Sequence, residues 1–335
     1  MRVKLMPSGP QKEEFKPAWW LPGGHSQTLY RKLSRLEKVR QVRQRIELRD
    51  GDFIDVDWAT NSALVNKATD LIVVILHGLC GCSGSSYVLS LQRLLSENGV
   101  SSVAMNFRGC SGEINRKARA YHSGISDDVE EVFSNLSWLH PKKNFAFVGY
   151  SLGGNVLLKW LGESSGNSRI KKAVAVSTPF SLAHCSRAML QGLGRLYGRY
   201  FVRKLLADLN NKKLYFEKVD NLDQLSEINQ LGELTGISSI WEFDDKVTAP
   251  LHGFKDAEDY YNQCSSFGLL DTIETQTLLV QSQNDPLVPA LAIPSSEKLS
   301  PHVDLKLSSK GGHVGFISGW SEQWLEQKIL QFIQV

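Results

Sequence analysis

Three residues of this chain sit in the kind of turn that acyl-transfer chemistry needs: a serine, a carboxylate and a histidine. The serine is Ser151, in Gly149-Tyr150-Ser151-Leu152-Gly153. Such a G-x-S-x-G forces a turn so tight that only glycine fits at its flanks, and it holds the hydroxyl clear of the backbone. The residues before it, 145–148, are apolar and β-prone; those after it place Val156, Leu157, Trp160 and Leu161 at helical spacing before Gly162. A strand, a turn and a helix are therefore expected, with the serine at a helix N-terminus. There the helix dipole and the Leu152 amide favour the negative charge that develops during acyl transfer. In a chain with 27 glycines the five-residue pattern alone is weak, so its weight comes from this context.

A serine hydroxyl is a poor nucleophile unless a base takes its proton during attack, and the base needs a carboxylate to fix its tautomer. Two downstream loops offer these groups, each following a short apolar run. After 277–281 comes Ser282-Gln283-Asn284-Asp285-Pro286, in which Asp285 is the carboxylate. After 303–307 comes Ser308-Ser309-Lys310-Gly311-Gly312-His313, in which glycines leave the His313 ring room to reach Ser151. The order Ser151, Asp285, His313 is that of α/β-hydrolases. Asp285 has a bland alternative as a cap for the turn before Pro286, and the rival pair Asp244-Asp245 lies off any predicted strand end. A loop of small residues, His77-Gly78-Leu79-Cys80-Gly81, follows the buried-strand run 71–76. Its Leu79 amide is the expected second oxyanion donor beside that of Leu152. The chemistry asks for no cofactor. Cys80-x-Cys82 lacks the spacing and the second ligand pair of a metal site.

These loops must be carried by a sheet. From residue 46 onward the pattern reads as a hairpin, then strands at 71–76, 102–107, 145–148, 172–177, 277–281 and 303–307. Helices are predicted at 87–97, 127–138 (with Ser126 as N-cap), 152–161, 295–299 and 320–332. That alternation predicts a mostly parallel, doubly wound sheet with loops converging at its carboxyl edge. The segment from about 178 to 270 breaks the rhythm and is expected to form a helical cap. Residues 1–45 are expected to form an irregular arm packing on a domain that spans 46–335. Within the arm, Trp19 and Trp20 read as a cover for the core, while His25 or Gln27 would be the ones to border the site.

The 335 residues are 42% hydrophobic and 22% charged, ordinary globular material. A net charge of +3 is too small to argue for nucleic acid. Residues 1–22 lack the apolar stretch of a secretory signal, and no run is long enough to span a bilayer. The five scattered cysteines fit free thiols in a reducing compartment, so a cytoplasmic location is expected. Two basic stretches point toward weak peripheral contact with an anionic membrane: the run 31–45, and Arg195, Arg199 and Arg203 at helical spacing. Solvated helix or strand faces are the plain alternative for both.

Several blocks together resemble the YheT-like branch of the α/β-hydrolase superfamily, hydrolases related to mammalian abhydrolase-domain proteins. They are Trp19-Trp20-Leu21-Pro22-Gly23-Gly24-His25-Ser26-Gln27-Thr28, His77-Gly78-Leu79, Asn106-Phe107-Arg108-Gly109-Cys110-Ser111-Gly112-Glu113 and Tyr121-His122-Ser123-Gly124. Gly149 to Gly154, Phe243-Asp244-Asp245 with Thr248 to Phe254, and Gly311 to Phe316 complete the set. The resemblance covers nearly the whole chain. It implies an α/β-hydrolase fold and a serine carboxyl-ester hydrolase, with short-chain or lipid-like acyl esters as substrates. It carries the triad roles to Ser151, Asp285 and His313. A thioesterase, amidase or acyltransferase would use the same residues, and a non-enzymatic ligand-binding protein is the reading from another class. Arg108 and Asp244-Asp245 are expected to anchor loop and cap by charge-assisted hydrogen bonds.

Overall fold

The computed structural model describes residues 15–33, 38–60, 69–164, 166–320 and 323–334. An eight-stranded sheet runs in the order β1-β2-β4-β3-β5-β6-β7-β8. Its strands are β1 Gln41–Glu47, β2 Phe53–Ala59, β3 Leu71–Leu76, β4 Ser101–Met105, β5 Asn144–Tyr150, β6 Ile170–Val176, β7 Thr277–Ser282 and β8 Val303–Ser308. The hairpin β1–β2 joins β4 antiparallel and every later pairing is parallel.

Side chains alternate across a strand, so a strand buried on both faces must be apolar throughout. In β3, Ile72, Val74 and Leu76 enter one core, and Val73 and Ile75 the other. The first core lies under α3 (Ser126–Leu139) and α4 (Leu152–Glu163), through Val129, Phe133, Val156 and Trp160. The second lies under α2 (Ser86–Glu97) and α11 (Trp324–Gln334), through Leu91, Leu95, Ile329 and Ile333. The mostly parallel, doubly wound sheet with an N-terminal hairpin follows the alternation expected from sequence.

Between β6 and β7 the chain is helical: α5 Leu182–Ala188, α6 Gly194–Lys218, α7 Leu222–Asn229, α8 Ile240–Phe243, a π-helical turn Asp244–Thr248, α9 Ala249–Leu251 and α10 Ala257–Cys264. Buried Lys212 of α6 ties this segment to the core by donating to the carbonyls of Lys117, Ala118 and Arg119.

Four local expectations need correction. The arm is not irregular at 24–33 but forms a helix, α1 Gly24–Leu33. Ser126 opens α3 without capping it, since its hydroxyl donates to Glu163. Residues 295–299, hemmed by Pro294 and Pro301, make only the 3-10 turn Ser296–Lys298. The last helix starts at Trp324, after a turn in which Gly319 has φ +60°.

Three cations of the basic run 31–45 are neutralised within the protein. Arg31 is buried against Glu326. Arg43 and Arg45 face Asp57 and Asp55 directly across the hairpin and form bidentate pairs with them. Arg35 and Glu37 lie outside the described residues.

Candidate active site

Ser151 follows β5 directly and has φ +53° and ψ −121°, a conformation that costs an L-residue energy and persists only where the surroundings enforce it. Its amide donates to the Val176 carbonyl (2.8 Å), which pins the turn to β6. A Cβ on Gly153 would stand 2.5 Å from the His77 carbonyl oxygen, so the motif's last glycine is what lets α4 meet the end of β3.

Three strand ends bring the predicted residues together. His313 Nε2 lies 2.7 Å from Ser151 Oγ, and His313 Nδ1 lies 3.0 Å from Asp285 Oδ2 and 3.1 Å from Oδ1. With Asp285 ionised, Nδ1 carries the proton and Nε2 faces the hydroxyl as acceptor. Asp285 is buried and also caps its turn: Oδ1 accepts from the Leu287 and Val288 amides (2.8 and 3.2 Å), and Oδ2 from Gln281 Nε2 (3.3 Å). The bland role and the sharp one thus coexist in one side chain.

The amides near Ser151 can be accounted for one by one. In the loop after β3, the Gly78 amide donates to Tyr87, that of Cys80 to Tyr121, and that of Gly81 to the Gly78 carbonyl. The Leu79 amide donates to no group among the described residues. Leu152 is the first residue of α4, so its amide has no helical carbonyl behind it. His77, wholly buried, braces this loop: its Nε2 accepts from the Phe107 amide (3.1 Å) and its Nδ1 donates to the Gly78 carbonyl (2.8 Å). Burial pushes the imidazole down to about 4, against the pull of that carbonyl.

Two residues of the arm shape the site: Gln27, one of those expected to border it, and Thr28, which the sequence did not single out. Thr28 Oγ1 accepts from the His313 amide (2.8 Å), and Gln27 bonds both the amide and the carbonyl of Ile317. Gly312 is required for this docking, because a Cβ there would come within 2.6 Å of the Gly24 carbonyl oxygen. Of the two glycines before His313, Gly312 thus admits α1, while Gly311 packs against Ser282 and Phe316. Within the arm Gln27 donates to the Leu21 carbonyl, Ser26 to that of Gly23 and Thr28 to that of Gly24, so no local feature singled Thr28 out. His25 lines the site, with its ring stacked on Tyr197 of α6.

Two cavities meet at Ser151, Leu79, Phe201, Leu287 and His313. The inner one, about 110 Å³, runs under the helical segment, walled by Leu182, Met189, Ile240 and Phe243, with Asp244, Thr248 and Tyr261 on its polar side. The outer one, about 610 Å³, opens between α1 and α6. Asp244 accepts from Thr248 Oγ1 and Tyr261 Oη (both 2.7 Å), and burial pushes its carboxyl up to about 6 in spite of them. No salt bridge pairs it with a cation among the described residues, and its anchors are these two hydroxyls. Asp245 instead accepts from the Ala257 amide at the start of α10. Arg108 is a charge-assisted anchor, with buried bonds to Asp128, Asp52 and Asp50. Among the described residues no three His, Cys, Asp or Glu side chains converge as a metal site.

Comparison with known proteins agrees with this architecture. Residues 72–319 match the alpha/beta hydrolase fold family. YheT of Escherichia coli, whose name carries a provisional esterase assignment, is 38% identical over 94% of this chain and 92% of its own. Human phospholipase ABHD3 is 30% identical over 96% of this chain and 79% of its own. Among solved structures, the esterase Pf2001 of Pyrococcus furiosus superposes with a TM-score of 0.56 at 16% identity, covering 88% of this chain and 92% of its own, a likeness of fold. The chain therefore belongs to the α/β-hydrolase family, in its YheT-like branch of esterase- and lipase-like hydrolases.

Proposed function

We propose that this hydrolase cleaves carboxyl esters, of short-chain or lipid-like acyl groups, through an acyl-enzyme on Ser151. The observation that carries the reading is the unbroken line of hydrogen-bond distances from Ser151 Oγ through His313 to Asp285. In the first half-reaction Ser151 Oγ attacks the ester carbonyl carbon while His313 Nε2 takes its proton. Asp285 holds the Nδ1–H tautomer and stabilises the imidazolium. The carbonyl oxygen becomes an oxyanion facing the Leu79 and Leu152 amides, which are fixed in place before the charge appears. The carbon–oxygen bond to the alcohol then breaks, and Nε2 returns the proton to the leaving oxygen. Water repeats the sequence on the acyl-enzyme and releases the acid.

The two cavities suit an ester whose limbs part at Ser151. A dry cavity of about 150 Å³ holds a benzene ring, so the inner cavity suits a limb of roughly four or five carbons. The outer cavity suits the bulkier limb. The helical segment 178–270 acts in this reading as a cap that walls both, and residues 1–45 as an arm that steadies the base. The phospholipase and esterase names of the relatives favour lipid-like esters in the same sense.

The test is labelling with a fluorophosphonate probe together with hydrolysis of p-nitrophenyl esters. Ser151→Ala is expected to abolish both while leaving the thermal unfolding curve in place. Wild-type turnover in that variant would overturn the assignment.

A further inference from the structure

Exposed apolar side chains stand on and beside the two helices that frame the outer cavity. Leu33 of α1 is 80% exposed, Leu196 of α6 61% and Leu193, just ahead of it, 57%. The two helices are tied across the mouth by His25 stacked on Tyr197 and by Lys32 lying 3.4 Å from the Tyr200 ring centre. On the far side of α1, Tyr30 packs on Trp20, and Trp20 on Trp320, whose ring is 84% exposed. A continuous chain of contacts thus runs from the Trp320 ring to α6, with the opening toward Ser151 between the helices.

The charge on α1 and on the first half of α6 has one sign. Residues 186–207 contain five cations and no carboxylate, and α1 contains none either. Arg195, Arg199 and Arg203 are exposed and pair with no carboxylate among the described residues. At i, i+4 and i+8 they form a stripe beside Leu196 and Tyr200. By contrast, the cations of the β-hairpin face Asp55 and Asp57. Exposed leucines beside arginines that meet no carboxylate, with an exposed tryptophan at the far end of the border, suit a headgroup region, where rings and apolar side chains enter the interface and cations meet anionic lipid.

We propose that this border, from Trp320 across Leu33 to Leu196 and the Arg195–Arg199–Arg203 stripe, docks the protein on an anionic lipid bilayer, so that an ester enters the outer cavity directly from the lipid. The proposal rests on the ester-hydrolase reading for its purpose but not for its measurement. A basic side chain at such a surface contributes enough that losing three weakens partitioning on the order of 100-fold.

The experiment is co-sedimentation with phosphatidylcholine vesicles with and without phosphatidylserine, at low and physiological salt. Wild type and Ser151→Ala are expected to bind the anionic vesicles alike, less at higher salt. The triple variant Arg195→Glu, Arg199→Glu, Arg203→Glu is expected to lose that binding yet hydrolyse soluble p-nitrophenyl butyrate at the wild-type rate. Leu33→Asp with Trp320→Ser is expected to lose it too. Equal, negligible binding of wild type at both salts would overturn the proposal, as would undiminished binding by the triple variant. Dimerisation by light scattering that Leu33→Asp abolishes, without vesicle binding, would assign the face to a second copy and overturn it as well. Normal docking with no hydrolysis of any ester would instead refute the function and leave the surface standing.

Discussion

Replacing Asp285 by Asn tests the chemistry of the site with little disturbance of its shape. Asp285 Oδ1 accepts two backbone amides, from Leu287 and Val288. The carboxamide oxygen of Asn must take that position, because an NH2 group there would face two donors. The NH2 group then occupies the place of Oδ2, 3.0 Å from His313 Nδ1. A donor there forces Nδ1 to accept, so the ring proton moves to Nε2 and points at Ser151, and the base is lost. The remaining donor conflict, with Gln281 Nε2, is relieved by turning the Gln281 amide, whose Oε1 has no partner within the protein.

The expected cost in folding is therefore below about 1 kcal/mol, that of a near-isosteric change with its bonds restored. The expected cost in rate is about 10⁴-fold, as for a triad held in the wrong tautomer, or roughly 5 kcal/mol of transition-state stabilisation. The assay is kcat/KM on p-nitrophenyl butyrate beside a thermal melt of the same preparation. A fall of less than tenfold with an unchanged melt would show that Asp285 is not the orienting carboxylate. A larger loss in Asp244→Asn than in Asp285→Asn would name the other acid.

Two further predictions concern stability against pH. His77 is held at about 4 rather than its ordinary 6.5, so its contribution is complete above pH 6.5 and is lost as pH falls toward 4; the window amounts to about 3 kcal/mol. Urea midpoints at pH 7 and 4.5 measure it, and His77→Gln, if it still folds, is expected to flatten the profile; an equal slope in both proteins would refute the assignment. Asp244 has the opposite sign: raised from 3.8 to about 6, it contributes stability below pH 3.8 that is lost as pH rises through 6. Asp244→Asn is therefore expected to be more stable than wild type at pH 7, by up to about 3 kcal/mol, with the gap closing near pH 4; a lower melting temperature at pH 7 would refute it.

The sheet and the three strand-end loops were legible because each has a short-range signature. A strand buried on both faces must be an apolar run, as 71–76 is, and a strained serine needs glycines within two residues of it. The inner order of the site was legible for the same reason: Asp285 and His313 each follow such a run. What escaped depends on contacts between remote parts of the chain. Within 31–45 the sequence could not show that cations of one stretch meet different partners: Arg31 turns inward to Glu326, 295 residues away, while Arg43 and Arg45 find aspartates on the next strand. Periodicity sees neither pairing.

Thr28 is the clearest case. Nothing in its neighbourhood marks it as part of a catalytic site, since its partner, the His313 amide, lies 285 residues away. Yet the loop carrying the base is gripped on both sides of the ring, by Thr28 from α1 and by Ser177 from the end of β6, whose Oγ accepts from the Val314 amide (2.9 Å). Val314 itself sits at φ +59°, a conformation that a β-branched residue adopts only under constraint. His313, the proposed base, is therefore positioned by α1 near one end of the chain and by the middle of the sheet together. The arm thus braces the loop of the proposed triad, although it carries none of the three groups.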